Sequence, residues 1–523
     1  VIILFTWSVM PRSWYVLDTI YLMILIGATR VSYRLIRLRR QNRTFPWSKR
    51  KKVMIIGGGE AGRSLITEIQ NSKYLDQKVV CIIDDDPYKI GRYIKGVKVV
   101  GNRNSIKKSV KKYNVQQIIL TIPSANAAKI RPIVEICQDT NCELMILPGV
   151  YQLVNGEVKA SKLRPVNIDD LLGRDEVHVN LNEVMDYVSG RVIMVTGGGG
   201  SIGSELCRQI AKHSPKQLII FDIYENNAYD IQQELLREQP KLDLVVLIGS
   251  VRDENRINRI FEQYRPEIIY HAAAHKHVPL MEGSPNEAIK NNVLGTYNMV
   301  RMADKWNVKR FVQISTDKAV NPTNIMGASK RICEMIIQTY NKESNTEYVA
   351  VRFGNVLGSN GSVIPLFKKQ IAEGGPVTVT HPEIIRYFMT IPEAVSLVLQ
   401  AGAYAKGGEI FVLDMGEPVK ILDLARNMIR LSGYKVDQDI KIEFTGLRPG
   451  EKLYEELLMD EEGMTDTPNK LIHIGHPIDV DEVKLAHALR VLESAAQNET
   501  DDMRLIVESI VPTYHPKLNK STQ

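Results

Sequence analysis

The chain opens with two apolar stretches, and a basic segment follows them directly. Residues 1–10 and 14–29 are almost wholly apolar, apart from Asp18, and the tripeptide at 11–13 predicts a turn between them. Residues 30–52 contain ten Lys and Arg and no acidic residue. Because positive charge marks the cytoplasmic side of a membrane helix, we predict a helix hairpin in the cell membrane over 1–40 and a basic linker over 41–52. The domains that follow are then cytoplasmic.

A buried core helix is the alternative for this segment. Its second apolar stretch of roughly 16 residues is shorter than the roughly 20 that a spanning helix needs. The charges follow the apolar stretch, and no small-residue cleavage site is evident, which argues against a cleaved signal peptide. Since the sequence opens without Met inside an apolar stretch, we expect a truncated, multi-pass membrane segment.

Beyond the basic linker, short apolar strands alternate with segments of helical spacing. The run VMIIGGGEAG at 53–62 is a strand that ends in glycines, and Gly57, Gly59 and Gly62 fit G-x-G-x-x-G. A second strand ends at the acidic residues 84–86, and further strands are predicted at 97–100, 117–122 and 142–147. This pattern predicts a doubly wound, Rossmann-like domain over 53–150. Its ligand is unknown, and an empty or regulatory site fits the motif equally well.

The same start recurs at 192–203, as VIMVTGGGGSIG, with the spacing T-G-x-x-G-x-x-G. Glycines allow a tight turn, a close approach of the backbone to a pyrophosphate, and close packing of the next helix. The next strand ends at Asp222, whose carboxylate would accept ribose hydroxyls and repel a 2′-phosphate, which favours NAD over NADP. We expect the turn to bind NAD through Gly197, Gly200, Ser201, Ile202 and Gly203.

Length and composition narrow the class of protein. A chain of 523 residues requires two or more domains, and 44% hydrophobic and 24% charged residues are ordinary for a globular protein. The ten positive charges of 30–52 exceed the net charge of +7, which leaves the rest of the chain at −3 and argues against nucleic-acid binding. The five cysteines lack zinc-ligand spacing and suit reduced thiols.

The segments after Asp222 follow the order of an extended short-chain dehydrogenase. The strand VVLIGSVRD leads to Ser250 and Val251, HAAAHKHVP contains the small residues Ala272, Ala273 and Ala274, and NNVLGT contains Asn292. With STDKAVNPTN, RFGNVLGS and GLRPGEKLYEEL, the whole chain resembles the polysaccharide-biosynthesis proteins that carry a UDP-N-acetylglucosamine 4,6-dehydratase domain behind membrane helices and an extra Rossmann-like domain.

The resemblance implies a complete domain plan. It places a linker with a helix at 151–190, an NAD-dependent dehydratase domain at 191–480 with a small C-terminal substrate lobe from about 355, and a helical tail at 481–523. It also implies a homo-oligomer and a UDP-sugar substrate. The cofactor residues that it adds are Ser250, Val251, Ala272, Ala273, Ala274, Asn292 and Lys330.

The catalytic residues depart from the common pattern of this enzyme class. Tyr and Lys at Y-x-x-x-K lie on one helical face, but here Met326 precedes Lys330. A thioether cannot exchange a proton, so the resemblance transfers the proton work to the triplet 316–318. Asp317 is the candidate acid for the sugar 6-hydroxyl, Lys318 the candidate base at carbon 5, and Thr316 the relay for the 4-hydroxyl proton.

The resemblance also assigns the substrate pocket. Arg448 and Glu451 of RPGEK match the pair that grips the diphosphate and the uridine ribose, and guanidinium and carboxylate suit those groups. The full set of expected substrate residues is Lys276, Asn355, Ser362, Thr380, Arg386, Arg448 and Glu451. The expected product is a UDP-4-keto-6-deoxy-acetamido sugar for a surface glycan.

Two other functions stay open from the sequence. A nucleotide-sugar 4-epimerase shares the fold and NAD, but normally keeps the tyrosine and needs no pair for water loss. A non-catalytic membrane sensor of NAD or nucleotide sugar would tolerate Met326, but would not need Asp317 and Lys318.

Overall fold

The chain forms two separate units, 1–125 with 129–166 and 126–128 with 167–523, in a computed structural model. The structure describes residues 12–41, 50–72, 76–125, 127–147, 163–167, 170, 185–456, 463–475 and 480–515. The first apolar stretch, most of the predicted linkers at 41–52 and 151–190, and residues 516–523 lie outside these ranges. The predicted boundaries of the linkers therefore stay predictions.

The second apolar stretch lies in one long helix, α1 (Arg12–Gln41). Within it, Ser13–Arg34 has a mean hydropathy of 1.3 and is fully exposed, so the buried core helix is wrong for this segment. Arg12 and Ser13 are helical, and the turn predicted there is wrong for these two residues. In the described part of the chain this is the one helix long and apolar enough to cross a membrane, which is a matter of length and composition.

The first unit has a seven-stranded sheet in the order β3-β4-β2-β1-β5-β6-β7. Strands β4, β2, β1, β5 and β6 are parallel, as the alternation of strands and helices predicts. The elements are β1 (Lys51–Ile56), α2 (Glu60–Asn71), β2 (Gln77–Ile83), β3 (Tyr93–Ile94), β4 (Val97–Gly101), α3 (Ile106–Tyr113), β5 (Gln117–Leu120), α4 (Ala127–Gln138), β6 (Glu143–Ile146) and β7 (Arg164–Pro165).

The second unit has a nine-stranded sheet in the order β10-β9-β8-β11-β12-β13-β18-β22-β21. Its first seven strands are parallel and nearly all apolar, since helices cover both faces. The elements up to β13 are β8 (Val192–Thr196), α5 (Ser201–Ala211), β9 (Gln217–Asp222), α6 (Glu225–Glu238), β10 (Leu244–Ile248), α7 (Glu254–Tyr264), β11 (Ile268–His271), α8 (Val278–Gly283), α9 (Pro285–Ala288), α10 (Gly295–Lys305), β12 (Arg310–Ile314), α11 (Ile325–Glu343) and β13 (Glu347–Arg352).

The segment from residue 355, where we expect a substrate lobe, adds three two-stranded sheets. They pair β14 with β17, β15 with β20 and β16 with β19. The remaining elements are β14 (Asn355–Val356), α12 (Val363–Ala372), β15 (Val377–Val379), β16 (Ile385–Arg386), β17 (Phe388–Met389), α13 (Ile391–Tyr404), β18 (Ile410–Leu413), β19 (Val419–Lys420), α14 (Ile421–Leu431), β20 (Ile442–Phe444), β21 (Met464–Asp466), β22 (Ile472–Gly475), α15 (Glu482–Gln497) and α16 (Met503–Ile510).

The C-terminal helices α15 and α16 pack into the core of the second unit. Leu489 and Val507 belong to the same buried cluster as Ile332 of α11. Glu282 connects this layer to the start of α11, because its carboxylate accepts hydrogen bonds from the Ile325 N–H at 2.7 Å and from Arg504 Nε at 3.2 Å. The predicted tail is thus part of the folded unit that carries Lys330.

A buried carboxylate, Glu334 of α11, joins three elements behind the predicted catalytic triplet. Arg352 Nε and the Ser315 hydroxyl both donate to its Oε1 at 2.7 Å, and Arg331 donates to Oε2 at 2.9 Å. Burial raises the pKa of Glu334, but the charges and hydrogen bonds of Arg352 and Arg331 outweigh burial and lower it to about 2. The folded chain therefore holds this carboxylate ionised at neutral pH.

We expect Glu334→Gln to lower the free energy of unfolding by about 3 to 5 kcal/mol, because it removes the negative charge that Glu334 places beside two buried arginines. Since the folded pKa of Glu334 is depressed, its contribution is present above the pKa of the unfolded chain and is lost as the pH falls towards about 2. Urea unfolding of the full chain in detergent, from neutral to acidic pH, measures both effects. Glu373→Gln, at an exposed ion pair, should change stability by less than about 0.5 kcal/mol.

Candidate active site

A glycine turn joins β8 to α5 at the carboxyl end of the second sheet. Gly197 has a φ of +66°, which favours glycine, and a Cβ there would lie 2.8 Å from the Ala273 nitrogen. A Cβ on Gly203 would overlap the Gly197 carbonyl oxygen. Gly200 precedes α5, so the first N–H groups of the helix face the turn. The turn brings together the predicted residues Gly197, Gly200, Ser201, Ile202 and Gly203.

Asp222 lies at the end of β9, beside this turn. Its Oδ2 accepts from the Gly199 N–H and its Oδ1 from the Tyr224 N–H, both at 2.8 Å. Both oxygens are thereby fixed, and each keeps a lone pair for a further donor. This is the position at which a carboxylate meets the ribose of a dinucleotide.

The first unit also begins with a glycine turn beside a carboxylate, but there a lysine pairs with the carboxylate. Asp84, which follows β2, accepts from the Gly58 N–H at 2.7 Å and from the Asp86 N–H at 2.9 Å. Lys89 Nζ also lies 3.0 Å from Asp84 Oδ2 and compensates its charge. The ligand of this unit therefore stays open, as the sequence left it.

Of the remaining predicted cofactor residues, the alanines line the turn and Asn292 holds the loop that follows them. Ala272 directly follows β11, and its N–H donates to the carbonyl of Thr196, the last residue of β8, at 3.1 Å. The Asn292 side chain accepts from the His275 N–H at 2.8 Å and donates to the His275 carbonyl and to the Ser329 hydroxyl, each at 3.0 Å. Asn292 is buried and fully bonded, so it positions this loop against α11.

Two other predicted cofactor residues follow β10. The Ser250 hydroxyl accepts a hydrogen bond from the Arg252 N–H at 3.2 Å. Val251 is buried and packs against Gly295, because a Cβ on Gly295 would lie 2.6 Å from the Cγ2 atom of Val251. Ala273 and Ala274 are half-buried beside the glycine turn. The described residues fit a dinucleotide, since the turn leaves no room for a Cβ and Asp222 is held at its edge.

Lys330 lies on α11 and reaches the end of β12. Its Nζ donates to the Ile314 carbonyl at 2.8 Å, and burial lowers its pKa. Met326, one turn earlier, is 3% exposed and packs in the core cluster with Ile332. A buried thioether at the tyrosine position cannot exchange a proton with a substrate.

The predicted triplet forms a tight, buried cluster after β12. The Thr316 hydroxyl donates to Asp317 Oδ1 at 2.8 Å, and Lys318 Nζ donates to the same oxygen at 3.0 Å. Asp317 is 1% exposed, and its Oδ2 has no hydrogen-bond partner. One free carboxylate oxygen therefore remains for a substrate donor.

Glu455 is a further member of this cluster that the sequence reasoning missed. Its Oε1 lies 3.5 Å from Lys318 Nζ and 3.4 Å from Arg386 Nε, and its Oε2 is buried without a partner. Burial raises the pKa of Glu455 against the opposing charges of Lys318 and Arg386. Burial lowers the pKa of Lys318, but Asp317 and Glu455 outweigh it, so this pKa lies above its ordinary value.

The Arg386 guanidinium is bound by the loop that follows Arg448. Its guanidinium donates to the carbonyls of Ile385, Leu453 and Lys452 at 2.6, 3.2 and 2.7 Å, and it lies 3.6 Å from Glu451. These contacts occupy the guanidinium, so Arg386 holds the 451–455 loop. The role of Arg386 as a substrate residue therefore stays a prediction.

The other predicted substrate residues fall in three places. Asn355 lies in the triplet cluster, since its Oδ1 accepts from Lys318 Nζ at 3.4 Å. Lys276 Nζ lies 3.4 Å from the Ser359 hydroxyl, which places it beside the loop before Ser362. Arg448 is exposed and paired with Glu451 at 3.2 Å, and Thr380 directly follows β15.

The loop at 359–362 contacts the start of α5, directly after the glycine turn. The Asn360 N–H donates to the Ser201 hydroxyl at 3.2 Å, and a Cβ on Gly361 would lie 2.5 Å from the His277 ring. The Ser362 hydroxyl is buried without a partner. A donor or acceptor from a substrate could satisfy it.

Comparisons with known proteins agree with this architecture. Residues 193–477 match the family described as polysaccharide biosynthesis protein, and residues 2–148 match the one described as CoA-binding domain. The capsular polysaccharide biosynthesis protein CapD of Staphylococcus aureus is 49% identical over 443 residues, which cover 84% of this chain and 73% of that protein.

Two further similarities cover the second unit. The UDP-glucose 4-epimerase of Rickettsia canadensis is 37% identical over 279 residues, 52% of this chain and 79% of that protein. The X-ray structure of Pen from Bacillus thuringiensis superposes with a TM-score of 0.52 at 35% identity, and covers 56% of this chain and 89% of that chain.

We expect Gly203→Ala to weaken dinucleotide binding by at least about tenfold, because its Cβ would overlap the Gly197 carbonyl and push α5 away from the turn. Isothermal titration of the full chain with NAD measures the change. The control is Gly283→Ala, where a Cβ has open space. Equal affinity in Gly203→Ala and in the control would show that the turn does not bind the dinucleotide.

Proposed function

We propose that this chain, which belongs to the polysaccharide biosynthesis protein family, is an NAD-dependent UDP-N-acetylglucosamine 4,6-dehydratase. The observation that carries the proposal is the buried pair Asp317–Lys318, hydrogen-bonded to Thr316 at the end of β12. An acid and a base held together at this edge suit the removal of water from a sugar. The similarity to CapD supports a product for surface polysaccharide synthesis.

The glycine turn, Asp222 and Lys330 would hold the cofactor. Bound NAD would supply a reversible hydride acceptor for the oxidation at carbon 4 and the reduction at carbon 6, so that no net redox change would occur. The Asp222 carboxylate suits the two ribose hydroxyls and repels a 2′-phosphate, which favours NAD over NADP. Lys330 adds a positive charge beside the nicotinamide ribose.

Thr316 gives the 4-hydroxyl proton a route to Asp317. As the carbon 4 hydride leaves, Thr316 accepts the proton of that hydroxyl and passes its own proton along the 2.8 Å hydrogen bond to Asp317. Asp317 thereby becomes the acid that the next step needs. Met326 has no part in this transfer, because it is buried and has no exchangeable proton.

Lys318 and Asp317 then act as the base and the acid in the elimination of water. Lys318, as an amine, takes the proton from carbon 5, which the neighbouring ketone has acidified. Asp317 gives its proton to the 6-hydroxyl, the bond from carbon 6 to oxygen breaks, and water leaves. When the hydride has returned to carbon 6, Lys318 returns its proton to carbon 5. The proton that Asp317 gives to the 6-hydroxyl is the one that it received from the 4-hydroxyl. The net change in the sugar is therefore the loss of one water molecule.

Arg448 and Glu451 would bind the diphosphate and the uridine ribose. Arg448 is exposed, so its guanidinium can turn from Glu451 to a diphosphate at little cost. Arg386 supports this site indirectly through the 451–455 loop. Asn355, Lys276, Ser362 and Thr380 complete the expected set around the sugar. A homo-oligomer remains part of the proposal.

A 4-epimerase is the second candidate, because the chain is 37% identical to a UDP-glucose 4-epimerase over the second unit. Epimerisation needs hydride transfer at carbon 4 alone, and it leaves the Asp317–Lys318 pair without a role. A non-catalytic sensor would leave that pair without a role as well. The pair therefore favours dehydration over both.

We expect the full chain with NAD and UDP-N-acetylglucosamine to form a product lighter by one water. Asp317→Asn and Lys318→Ala should each slow water loss by at least about 100-fold, the usual contribution of a general acid or base. Mass spectrometry of the nucleotide sugars measures the product. Asp423→Asn, at an exposed carboxylate of α14, is the matched control and should retain activity.

Three other outcomes of that experiment would contradict either the dehydratase or the roles given to its residues. A product of unchanged mass with inverted carbon 4 would identify an epimerase, and binding without turnover would identify a sensor. Normal water loss by both variants would overturn the roles of Asp317 and Lys318.

We further propose that α1 anchors the chain in the cell membrane. A charged residue near the centre of a spanning helix costs about 3 kcal/mol, so Leu22→Arg with Ile24→Arg should release the chain from membranes. Fractionation after a high-salt wash measures release and removes binding by the basic segment alone. The control is Tyr33→Phe on the same helix, and a chain that is soluble before substitution contradicts the anchor.

A further inference from the structure

The cluster around Lys318 contains one carboxylate more than the proposed proton transfers use. Asp317, the residue before Lys318, lies 3.0 Å from Lys318 Nζ, and Glu455 lies 3.5 Å from the same atom. Glu455 comes from a loop more than 130 residues away in sequence, and its side chain is 3% exposed. A buried carboxylate with one unpartnered oxygen carries a large desolvation cost. Another interaction must therefore compensate the cost of burying Glu455 at this position.

The contacts of Glu455 point towards Lys318 and Arg386. Arg386 holds the loop through the carbonyls of residues 452 and 453, and its Nε also lies 3.4 Å from Glu455 Oε1. The loop therefore presents Glu455 to Lys318 in a fixed position. Glu456, the next residue, is directed elsewhere, since it accepts from the Asn321 amide at 2.8 Å.

We propose, resting on the function above, that Glu455 is a positioning residue that acts through Lys318: its negative charge holds the Lys318 side chain beside Asp317 and strengthens it as a base. A base of higher proton affinity favours uptake of the carbon 5 proton, and the resulting ammonium stays beside two carboxylates until it returns that proton. Glu455 itself neither gains nor loses a proton in this sequence.

The charges that face Lys318 from all sides agree with this role. Asp317 and Glu455 raise the pKa of Lys318, whereas burial and Arg386 lower it, and the net direction is upward. Lys318, Arg386 and Lys452 face Glu455 and favour its ionised form, while burial and Asp317 oppose it. The charge of Glu455 acts on Lys318 in the state in which both groups are ionised.

The test is the pH at which Lys318 becomes an amine, measured without turnover. Acetic anhydride labels amines but not ammonium groups, and peptide mass spectrometry of the full chain gives the labelling of Lys318 at each pH. Glu455→Gln removes the charge but keeps an oxygen for Arg386. We expect it to move the Lys318 midpoint to lower pH by about 1 to 3 units, the usual effect of a nearby opposite charge.

Three further variants define the outcome. Glu455→Asp keeps the charge and should keep the midpoint close to that of the unchanged chain, and Glu456→Gln is the matched control on the same loop. Glu455→Ser, a smaller neutral residue, must shift the midpoint in the same direction as Glu455→Gln. An unchanged midpoint in both neutral variants overturns the proposal, since a purely structural role for Glu455 would not move this pKa.

The labelling result is independent of the proposed reaction. If the chain forms no dehydrated product but the Lys318 midpoint shifts, the dehydratase assignment fails and the role of Glu455 stands. If water loss occurs and its rate depends on Lys318, the pH at which that rate rises should move with the labelling midpoint. Water loss with an unmoved midpoint rejects Glu455 alone.

Discussion

The ionised Glu334 carboxylate in the core of the second unit is the constraint on which the site depends. It binds Arg331 on its own helix, Arg352 at the end of β13 and Ser315 directly after β12. A charge buried this deeply is tolerated because several donors surround it. The geometry of Thr316, the next residue, is therefore set by the packing of α11 against two strands.

The same edge of the sheet gathers the rest of the chemistry. Parallel strands end on one side, so the glycine turn after β8, the carboxylate at the end of β9 and the triplet after β12 meet there. The 451–455 loop completes the cluster from the far side, held by Arg386. The predicted cofactor residues thus come from the first half of the unit, and the predicted substrate residues come from both halves.

Local sequence predicted the strands and the glycine turn well, whereas the catalytic roles of the triplet stay predictions. Glycine spacing and apolar runs depend on neighbours in sequence, and the predicted strands at 97–100 and 117–122 agree with β4 and β5 to within two residues. Glu455 could not be found this way, because nothing in its neighbourhood indicates that a distant Lys318 faces it. Arg386 resembled a phosphate ligand by residue type, and its three carbonyl partners depend on tertiary packing.

Other differences have similarly simple physical causes. Nothing in the Met326 side chain alone could show whether it faced a substrate or the core, since methionine suits both. The turn expected at 11–13 relied on proline as a helix breaker, yet a proline just before or in the first turn of a helix is compatible with it. Arg12 and Ser13 are helical accordingly.

The packing of α15 and α16 against α11 also bears on the order in which this protein can fold. Strand β8 begins the sheet of the second unit at Val192, and part of the apolar side chains that pack in one cluster with α11 come from residues 482–515. Such long-range contacts form late, since the intervening chain must first be closed into a loop. During synthesis the helix that carries Lys330 therefore exposes an apolar face until these last helices have left the ribosome. The nascent chain is open to aggregation over that interval, and chaperones are the natural protection for it.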